Sequence, residues 1–237
     1  NHKVKLFYDI ISPYSFIGFE SLLRYRVLWP IDVVLRPVCL GALFRDVKNP
    51  PPVTLCEAKA KYLSKEVGRV ARHYGVPLNM PPNFHDYVMN ATTVSACRLI
   101  VATQHNLPEK AEEVSRHLFS RFWIDNKTVK TEDDLTIVEN GTRILHEDRL
   151  QALKKARLEG KEIRELLGLI QAEGVKKTLR ENTKEAEELG AFGMPWYEVT
   201  RYDNGKSETF FGTDRLPLIG EFIDQHYEGP LRHLSLF

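Results

Sequence analysis

The sequence is poor in cysteine, and this scarcity excludes several kinds of site. Its three cysteines, Cys39, Cys56 and Cys97, are odd in number, widely spaced and form no C-x-x-C pair. Such spacing provides neither a disulfide framework nor a zinc site. We therefore expect a protein of a reducing compartment.

Long apolar runs and an excess of one charge are also absent. No apolar stretch approaches the roughly 20 residues that a membrane-spanning helix needs, and the first residues lack the pattern of a signal peptide. Lys and Arg total 33 against 32 Asp and Glu, so the net charge is +1 and no general field attracts nucleic acid or an anionic membrane. The histidines include no H-E-x-x-H motif. We expect a soluble protein with no metal, nucleic-acid or membrane partner, in which any anion site is local.

What the sequence does contain is a mixture of strands and helices at both ends. The apolar run Val4–Ile11 predicts a strand, and the apolar spacing after Pro13 predicts a helix. The alternating, β-branched segment Ile31–Pro37 predicts a second strand. Because a helix connects the two strands, they are expected to be parallel neighbours.

The C-terminal part returns to strands after a long helical block. Residues 196–200 and 208–211 predict a hairpin around Asp203-Asn204-Gly205, and a closing helix is predicted from Asp214 to His226. Between Leu55 and Leu189 the apolar residues recur at helical spacing. The helices predicted there are Lys59–Tyr74, Tyr87–Gln104, Pro108–Trp123 and Glu132–Leu145, with two more segments reaching Leu189.

This order of elements is that of an α/β protein with a thioredoxin-like fold split by a large all-helical insertion. We predict a discontinuous thioredoxin-like domain over residues 1–54 and 190–237, and a helical insertion domain over residues 55–189. The two halves of the first domain must then form one sheet, although they are distant in sequence.

The most informative local signal is Ser12-Pro13-Tyr14-Ser15, directly after the first predicted strand. A serine at the N-cap and a proline at the first helical position are typical of a helix start. The free N–H groups and the dipole of a helix N-terminus favour an anion, and a hydroxyl there can hold a thiolate. Ser12 is thus a candidate anion-binding residue, the alternative being that it only caps the helix.

Five segments then occur in a fixed order along nearly the whole chain. They are Ser12-Pro13-Tyr14-Ser15, Asn49-Pro50-Pro51-Pro52, Lys59-Ala60-Lys61-Tyr62, Gly190-Ala191-Phe192-Gly193-Met194-Pro195 and Phe211-Gly212-Thr213-Asp214-Arg215. Each is weak alone, but together they resemble the kappa-class glutathione transferases. The wider family includes the 2-hydroxychromene-2-carboxylate isomerases and the DsbA-type thiol oxidoreductases, and it has a helical insertion at the same place.

The resemblance implies a glutathione transferase that activates bound glutathione, its cosubstrate, as a thiolate for attack on small electrophiles such as aryl halides or peroxides. Ser12 and Ser15 stand where thioredoxin-like oxidoreductases carry two cysteines, so the reactive sulfur must come from the ligand. Lowering a thiol pKa of about 8.5 by roughly one to two units takes about 1.4 to 3 kcal/mol. A helix N-terminus typically supplies only about 0.3 to 1 kcal/mol. Ser12 is therefore the expected catalytic group, since a hydrogen bond to a charged group adds about 1.5 to 3 kcal/mol.

The resemblance also implies which residues hold glutathione: Ser12, Pro13, Tyr14, Asn49, Lys59, Met194, Pro195, Thr213 and Asp214. The Met194-Pro195 step matches a cis-proline whose backbone pairs with the cysteinyl part, the alternative being a trans proline that opens a strand. Thr213 and Asp214 match residues at the γ-glutamyl end, where Asp214 could instead be only a helix cap. Asn49 and Lys59 match residues at the glycyl end, although Lys59 could equally be a solvated surface lysine.

The sequence also permits other functions and other roles for single residues. One alternative function is a glutathione-dependent isomerase of the hydroxychromene type, and another is a non-catalytic thioredoxin-like module that binds peptides. Phe16, Trp123 and Trp196 could wall an electrophile pocket, although core packing is the preferred interpretation. Arg215 could reach the ligand of a second subunit.

The resemblance further implies a homodimer with a role in detoxification, located in the mitochondrial matrix or the peroxisome. The final residues Leu234-Ser235-Leu236-Phe237 are not an S-K-L peroxisomal signal. This favours the mitochondrion of the two.

Overall fold

The computed structural model describes residues 1–130, 158 and 160–237. Its sheet is built from both ends of the chain: β1 (His2–Tyr8), β2 (Ile31–Pro37), β3 (Trp196–Thr200) and β4 (Ser207–Phe211). The strand order is β2-β1-β3-β4, with β1 parallel to β2 and antiparallel to β3, and with β3 antiparallel to β4. The prediction that two distant halves form one sheet is confirmed.

Strand β1 lies between β2 and β3, and its apolar residues contribute to cores on both faces of the sheet. Val4, Leu6 and Tyr8 point to the larger core cluster, whereas Phe7 points to a smaller one on the opposite side of the sheet. All four are fully buried. The run continues to Asp9, which leaves the carboxyl end of β1 in the protein interior.

Helices pack around the sheet, and most of those that the structure describes lie between β2 and β3 in the sequence. They are α1 (Pro13–Tyr25), α2 (Leu40–Asp46), α3 (Pro52–Leu55), α4 (Glu57–Tyr74), α5 (Phe84–Met89), α6 (Val94–Asn106), α7 (Ala111–Trp123), α8 (Gly160–Leu169) and α9 (Glu173–Glu188), with a 3-10 turn at Pro108–Lys110. After β4 come a 3-10 turn at Thr213–Arg215, α10 (Leu216–Phe222) and a 3-10 turn at Arg232–Leu234. Over the described part of the chain, no helix is both long and apolar enough to span a bilayer.

Two predicted helices are wrong in extent. The single helix predicted over Tyr87–Gln104 is divided into α5 and α6, because Thr93 leaves helical geometry and its hydroxyl donates to the buried Asp9 carboxylate at 2.6 Å. The closing helix predicted over Asp214–His226 is only α10, since the chain first makes a 3-10 turn and adopts a left-handed conformation at Asp224. The predicted helix Glu132–Leu145 lies outside the described residues.

Helix α1 is buried along nearly its whole length. The Phe16 ring stacks on Phe119 of α7 with centroids 4.9 Å apart, and the Trp123 indole N–H donates to the Ile10 carbonyl at 2.8 Å. Phe16 and Trp123 are fully buried, which confirms core packing for both. This packing fixes the position of α1, whose N-cap residue is Ser12.

Candidate active site

Ser12 lies at the junction between β1 and α1. Its backbone is extended, with φ −91° and ψ 116°, and its Oγ accepts a hydrogen bond from the Ser15 N–H at 3.0 Å. The Ser12 N–H donates to the Asp9 carbonyl at 3.1 Å. Pro13 begins the helix as predicted. Ser12 is 6% exposed, so its hydroxyl lies just beneath the surface at the positive end of α1.

The Met194-Pro195 step lies directly against Ser12. The peptide bond between the two residues is cis, as predicted. The Ser12 hydroxyl donates to the Met194 carbonyl at 3.2 Å. A hydroxyl has one hydrogen, so any ligand that takes the hydrogen of Ser12 also frees the Met194 carbonyl as an acceptor.

Thr213 and Asp214 join this site from the far end of the chain. Thr213 is buried, and its hydroxyl donates to the Tyr14 carbonyl at 2.9 Å, which ties the loop after β4 to the first turn of α1. The Asp214 carboxylate is exposed and pairs with Arg215 at 2.6 Å. Thr213 therefore anchors the loop, whereas the Asp214 carboxylate is exposed to solvent.

Tyr14 points to helix α4. Its hydroxyl donates to the Glu66 carboxylate at 3.2 Å. Burial and the neighbouring carboxylate raise the pKa of Tyr14, so the phenol stays protonated at neutral pH. The side chain thus connects the first turn of α1 to the α4 wall, while its backbone stays beside Ser12.

Asn49 reaches the loop that precedes Met194. Its side-chain amide donates to the Phe192 carbonyl at 2.7 Å. The structure therefore brings Asn49 to the same loop as the cis-proline, and the amide oxygen remains available to a ligand.

Lys59 lies on the exposed side of α4 near its N-terminus. Lys61, two residues on, pairs with Glu57 at 2.5 Å, whereas no described carboxylate pairs with Lys59. Lys59 borders an open, mostly apolar pocket of about 370 Å³, lined by Pro52, Ala58, Lys59, Tyr62 and Leu63. Of the two lysines, Lys59 has the freer ammonium group.

Asp9 is a residue of this site that the sequence analysis missed. Its buried carboxylate accepts hydrogen bonds from the Ile11 N–H at 3.1 Å, the Thr93 hydroxyl at 2.6 Å and the Leu40 N–H at 2.8 Å. Burial raises the pKa of Asp9, and these donors oppose the increase. The carboxylate connects the turn before Ser12 to the starts of α2 and α6. An acidic residue directly after the buried apolar run Leu6-Phe7-Tyr8 was the sequence signal for it.

An aromatic cluster lies beside the cis-proline loop, formed by Phe192, Trp196 and Phe211. Ring centroids are 4.6 Å apart for Phe192 and Phe211, and 5.6 Å apart for Phe192 and Trp196. Trp196 is buried, which agrees with core packing, but Phe192 is 44% and Phe211 39% exposed. The cluster thus presents apolar surface next to the site.

Comparisons with known proteins agree with this geometry. A family model described as "DSBA-like thioredoxin domain" matches residues 3–224. The glutathione S-transferase kappa 1 of Rattus norvegicus is 35% identical over 228 residues, which cover 96% of this chain and 93% of the relative. The glutathione S-transferase kappa 2 of Caenorhabditis elegans is 32% identical over 233 residues, covering 98% and 96%.

A solved structure shares the same fold at lower sequence identity. A 2-hydroxychromene-2-carboxylate isomerase superposes with a TM-score of 0.67 at 18% identity, covering 94% of each chain. The family model and the two curated relatives each extend over nearly the whole sequence. This chain belongs to the DsbA-like thioredoxin family and, within it, to the kappa-class glutathione S-transferases.

Proposed function

We propose that this protein, a glutathione transferase by its family, ionises the thiol of bound glutathione against the Ser12 hydroxyl and presents the thiolate to an electrophilic small molecule. The observation that carries the proposal is the Ser12 hydroxyl at the N-terminus of α1, just below the surface and in contact with the Met194 carbonyl. Stabilising an anion there needs no residue to move far, because the hydroxyl only has to rotate.

The mechanism begins with an exchange of hydrogen bonds. The Ser12 hydrogen turns from the Met194 carbonyl to the glutathione sulfur, and the freed carbonyl accepts the N–H of the cysteinyl residue. The thiol proton passes to solvent. The dipole of α1 and the Ser12 hydroxyl together offset the cost of ionising the glutathione thiol. This cost is about 1.4 to 3 kcal/mol for a pKa decrease of about one to two units.

The thiolate then attacks the electrophile. With an aryl halide, the sulfur lone pair forms a carbon–sulfur bond and the halide leaves with its bonding electrons. Ser12 forms no covalent bond in this step and serves only to stabilise negative charge before the attack. The Tyr14 hydroxyl remains engaged with Glu66, so we assign it no proton transfer.

Charged side chains would hold the two ends of the tripeptide. The exposed Asp214 carboxylate suits the α-ammonium of the γ-glutamyl group. Its α-carboxylate would take backbone N–H groups of the loop, because the Thr213 hydroxyl hydrogen is engaged by Tyr14. Lys59, with the Asn49 amide, suits the carboxylate of the glycyl end.

Replacing Lys59 with glutamine should raise the KM for glutathione about tenfold and leave kcat nearly unchanged, because a charge-assisted contact of about 1.5 kcal/mol is lost equally from ground and transition states. Steady-state kinetics with varied glutathione measures both constants. Lys61→Gln is the matched control, since Lys61 is exposed on the same helix and paired with Glu57. Equal KM values for the two variants would remove Lys59 from the binding site.

We also propose that the protein is a homodimer with the exposed aromatic cluster in its interface. Phe192 and Phe211 form an apolar patch next to the loop that carries Arg215, so a partner seated there would lie beside the site. Phe192→Asp should convert the dimer to monomers in sedimentation velocity experiments, because a charge would be buried without a partner. Tyr202→Asp, another exposed aromatic position, should remain dimeric. A monomeric wild-type protein would contradict the proposal.

A detoxifying role in the mitochondrial matrix or the peroxisome stays a prediction supported by the family resemblance. The hydroxychromene-type isomerase activity is distinguished by parallel assays with an aryl halide and a hydroxychromene carboxylate. The same Ser12-bound thiolate would serve both reactions.

A further inference from the structure

A second hydroxyl lies beneath Ser12 and lacks a hydrogen-bond partner. Ser15 is fully buried, and among the residues that the structure describes none bonds to its Oγ. The backbone N–H of Ser15 donates to the Ser12 Oγ at 3.0 Å, so the Ser15 backbone lies in contact with the Ser12 hydroxyl. Buried polar groups are rarely left without a partner, and one beside a binding site requires an explanation.

Other buried serines of the protein show what is unusual about Ser15. Ser21 lies in the same helix, and its hydroxyl donates to the Ile17 carbonyl one turn earlier at 2.7 Å. Ser115 does the same with the Ala111 carbonyl at 2.9 Å. Ser15 is the third residue of α1, so the residue four positions earlier is Ile11, which precedes the helix. Its hydroxyl is therefore left without the acceptor that the others use.

We propose that Ser15 is a positioning residue that donates its hydroxyl hydrogen to the Ser12 Oγ when Ser12 binds the glutathione thiolate. The inference rests on the function proposed above. Ser15 acts through Ser12, because Ser15 is fully buried and Ser12 is the one that reaches the surface.

The lone pairs of the Ser12 oxygen allow this contact. The Ser12 Oγ accepts one hydrogen bond from the Ser15 N–H and donates its own hydrogen to the Met194 carbonyl. A hydroxyl oxygen accepts two hydrogen bonds, so one lone pair remains free. A donor on that lone pair polarises the Ser12 O–H bond and strengthens its hydrogen bond to the sulfur. The Ser15 hydroxyl thus donates to the Ser12 hydroxyl, which donates to the thiolate. No proton is transferred along these two hydrogen bonds.

Ser15→Ala tests the proposal by titration of the thiolate absorbance of bound glutathione. The thiol pKa should rise by about half a unit, which leaves about threefold less thiolate, and a kcat/KM about threefold lower, at pH values below the pKa. Above the pKa the two rates should converge. The melting temperature should stay equal or rise, because the variant removes a buried hydroxyl that has no partner.

Two further variants make the test specific. Ser21→Ala removes a buried serine hydroxyl from the same helix and should leave the thiolate pKa unchanged. Ser15→Thr keeps a hydroxyl at this position and should give a thiolate pKa close to that of the wild type.

The outcomes separate this inference from the proposed function. A wild-type protein that gives no thiolate absorbance with glutathione would overturn both. A wild-type thiolate together with an unshifted pKa in Ser15→Ala would overturn the role of Ser15 alone. A rate for Ser15→Ala that is lower by the same factor at every pH would also overturn it, since that pattern indicates altered packing.

Discussion

Replacing Ser12 with alanine should raise the pKa of the bound glutathione thiol by about one to two units and lower kcat/KM at neutral pH about 10- to 100-fold. The variant removes the Ser12 hydroxyl donor and keeps the dipole of α1. Because the thiol pKa rises, the variant forms the glutathione thiolate only at higher pH. The thiolate is lost as pH falls through the new pKa. Ultraviolet absorbance of the thiolate, followed against pH, measures the shift directly.

The same substitution also removes a helix cap, so folding and catalysis must be measured separately. Ser12 accepts the Ser15 N–H, and loss of such a cap costs about 1 kcal/mol of stability. Ser12→Thr keeps both the hydroxyl and the cap and should retain most of the thiolate. Unchanged absorbance and turnover in Ser12→Ala would remove Ser12 from the mechanism, and a rate that stays low above the shifted pKa would indicate misplacement of glutathione.

The part of this site that could be predicted from sequence is the part that local patterns determine. The Ser12-Pro13 helix start follows from an apolar strand and a capping pair, whereas the position of the Met194-Pro195 step beside it was implied by the family resemblance. The resemblance of five ordered segments supplied the ligand, which neither periodicity nor composition could.

The contacts that the sequence did not reveal are tertiary ones between polar side chains. The Asp9 carboxylate meets the Thr93 hydroxyl, and this contact accompanies the break between α5 and α6 where periodicity predicts one helix. Likewise, the Tyr14 hydroxyl meets Glu66 on α4. Polar side chains of this kind carry no periodic signal, so their partners emerge only once the helices are packed.

The stability of α1, and with it the position of Ser12, depends on a buried ion pair. Arg116 of α7 donates to Glu20 of α1 at 2.8 Å, and the side chains are only 4% and 3% exposed. Arg116 also pairs with Glu113 and with Glu112. Burial raises the pKa of Glu20, and the Arg116 charge opposes this increase.

Replacing Arg116 with methionine should lower the free energy of unfolding by about 3 to 5 kcal/mol, because it leaves the Glu20 charge buried without its partner. The pKa of Glu20 then rises further above its unfolded value of about 4.3, so the folded state holds its proton more tightly than the unfolded chain. The stability of the variant therefore falls as pH rises from the unfolded to the folded pKa of Glu20. The loss of unfolding free energy relative to the wild type should be smaller at pH 4 than at pH 7. Urea unfolding at both pH values measures it.

Two matched variants show whether burial of the charge is the cause. Arg26→Met removes an arginine that pairs with Glu112 at 2.7 Å but is 46% exposed, and it should cost less than about 1 kcal/mol. Adding Glu20→Met to Arg116→Met should restore much of the stability, because two apolar side chains of similar length replace two desolvated charges. If the double variant were no more stable than Arg116→Met, the arginine would stabilise α1 through packing and its remaining carboxylate partners, and the Ser12 turn would owe its position to those contacts.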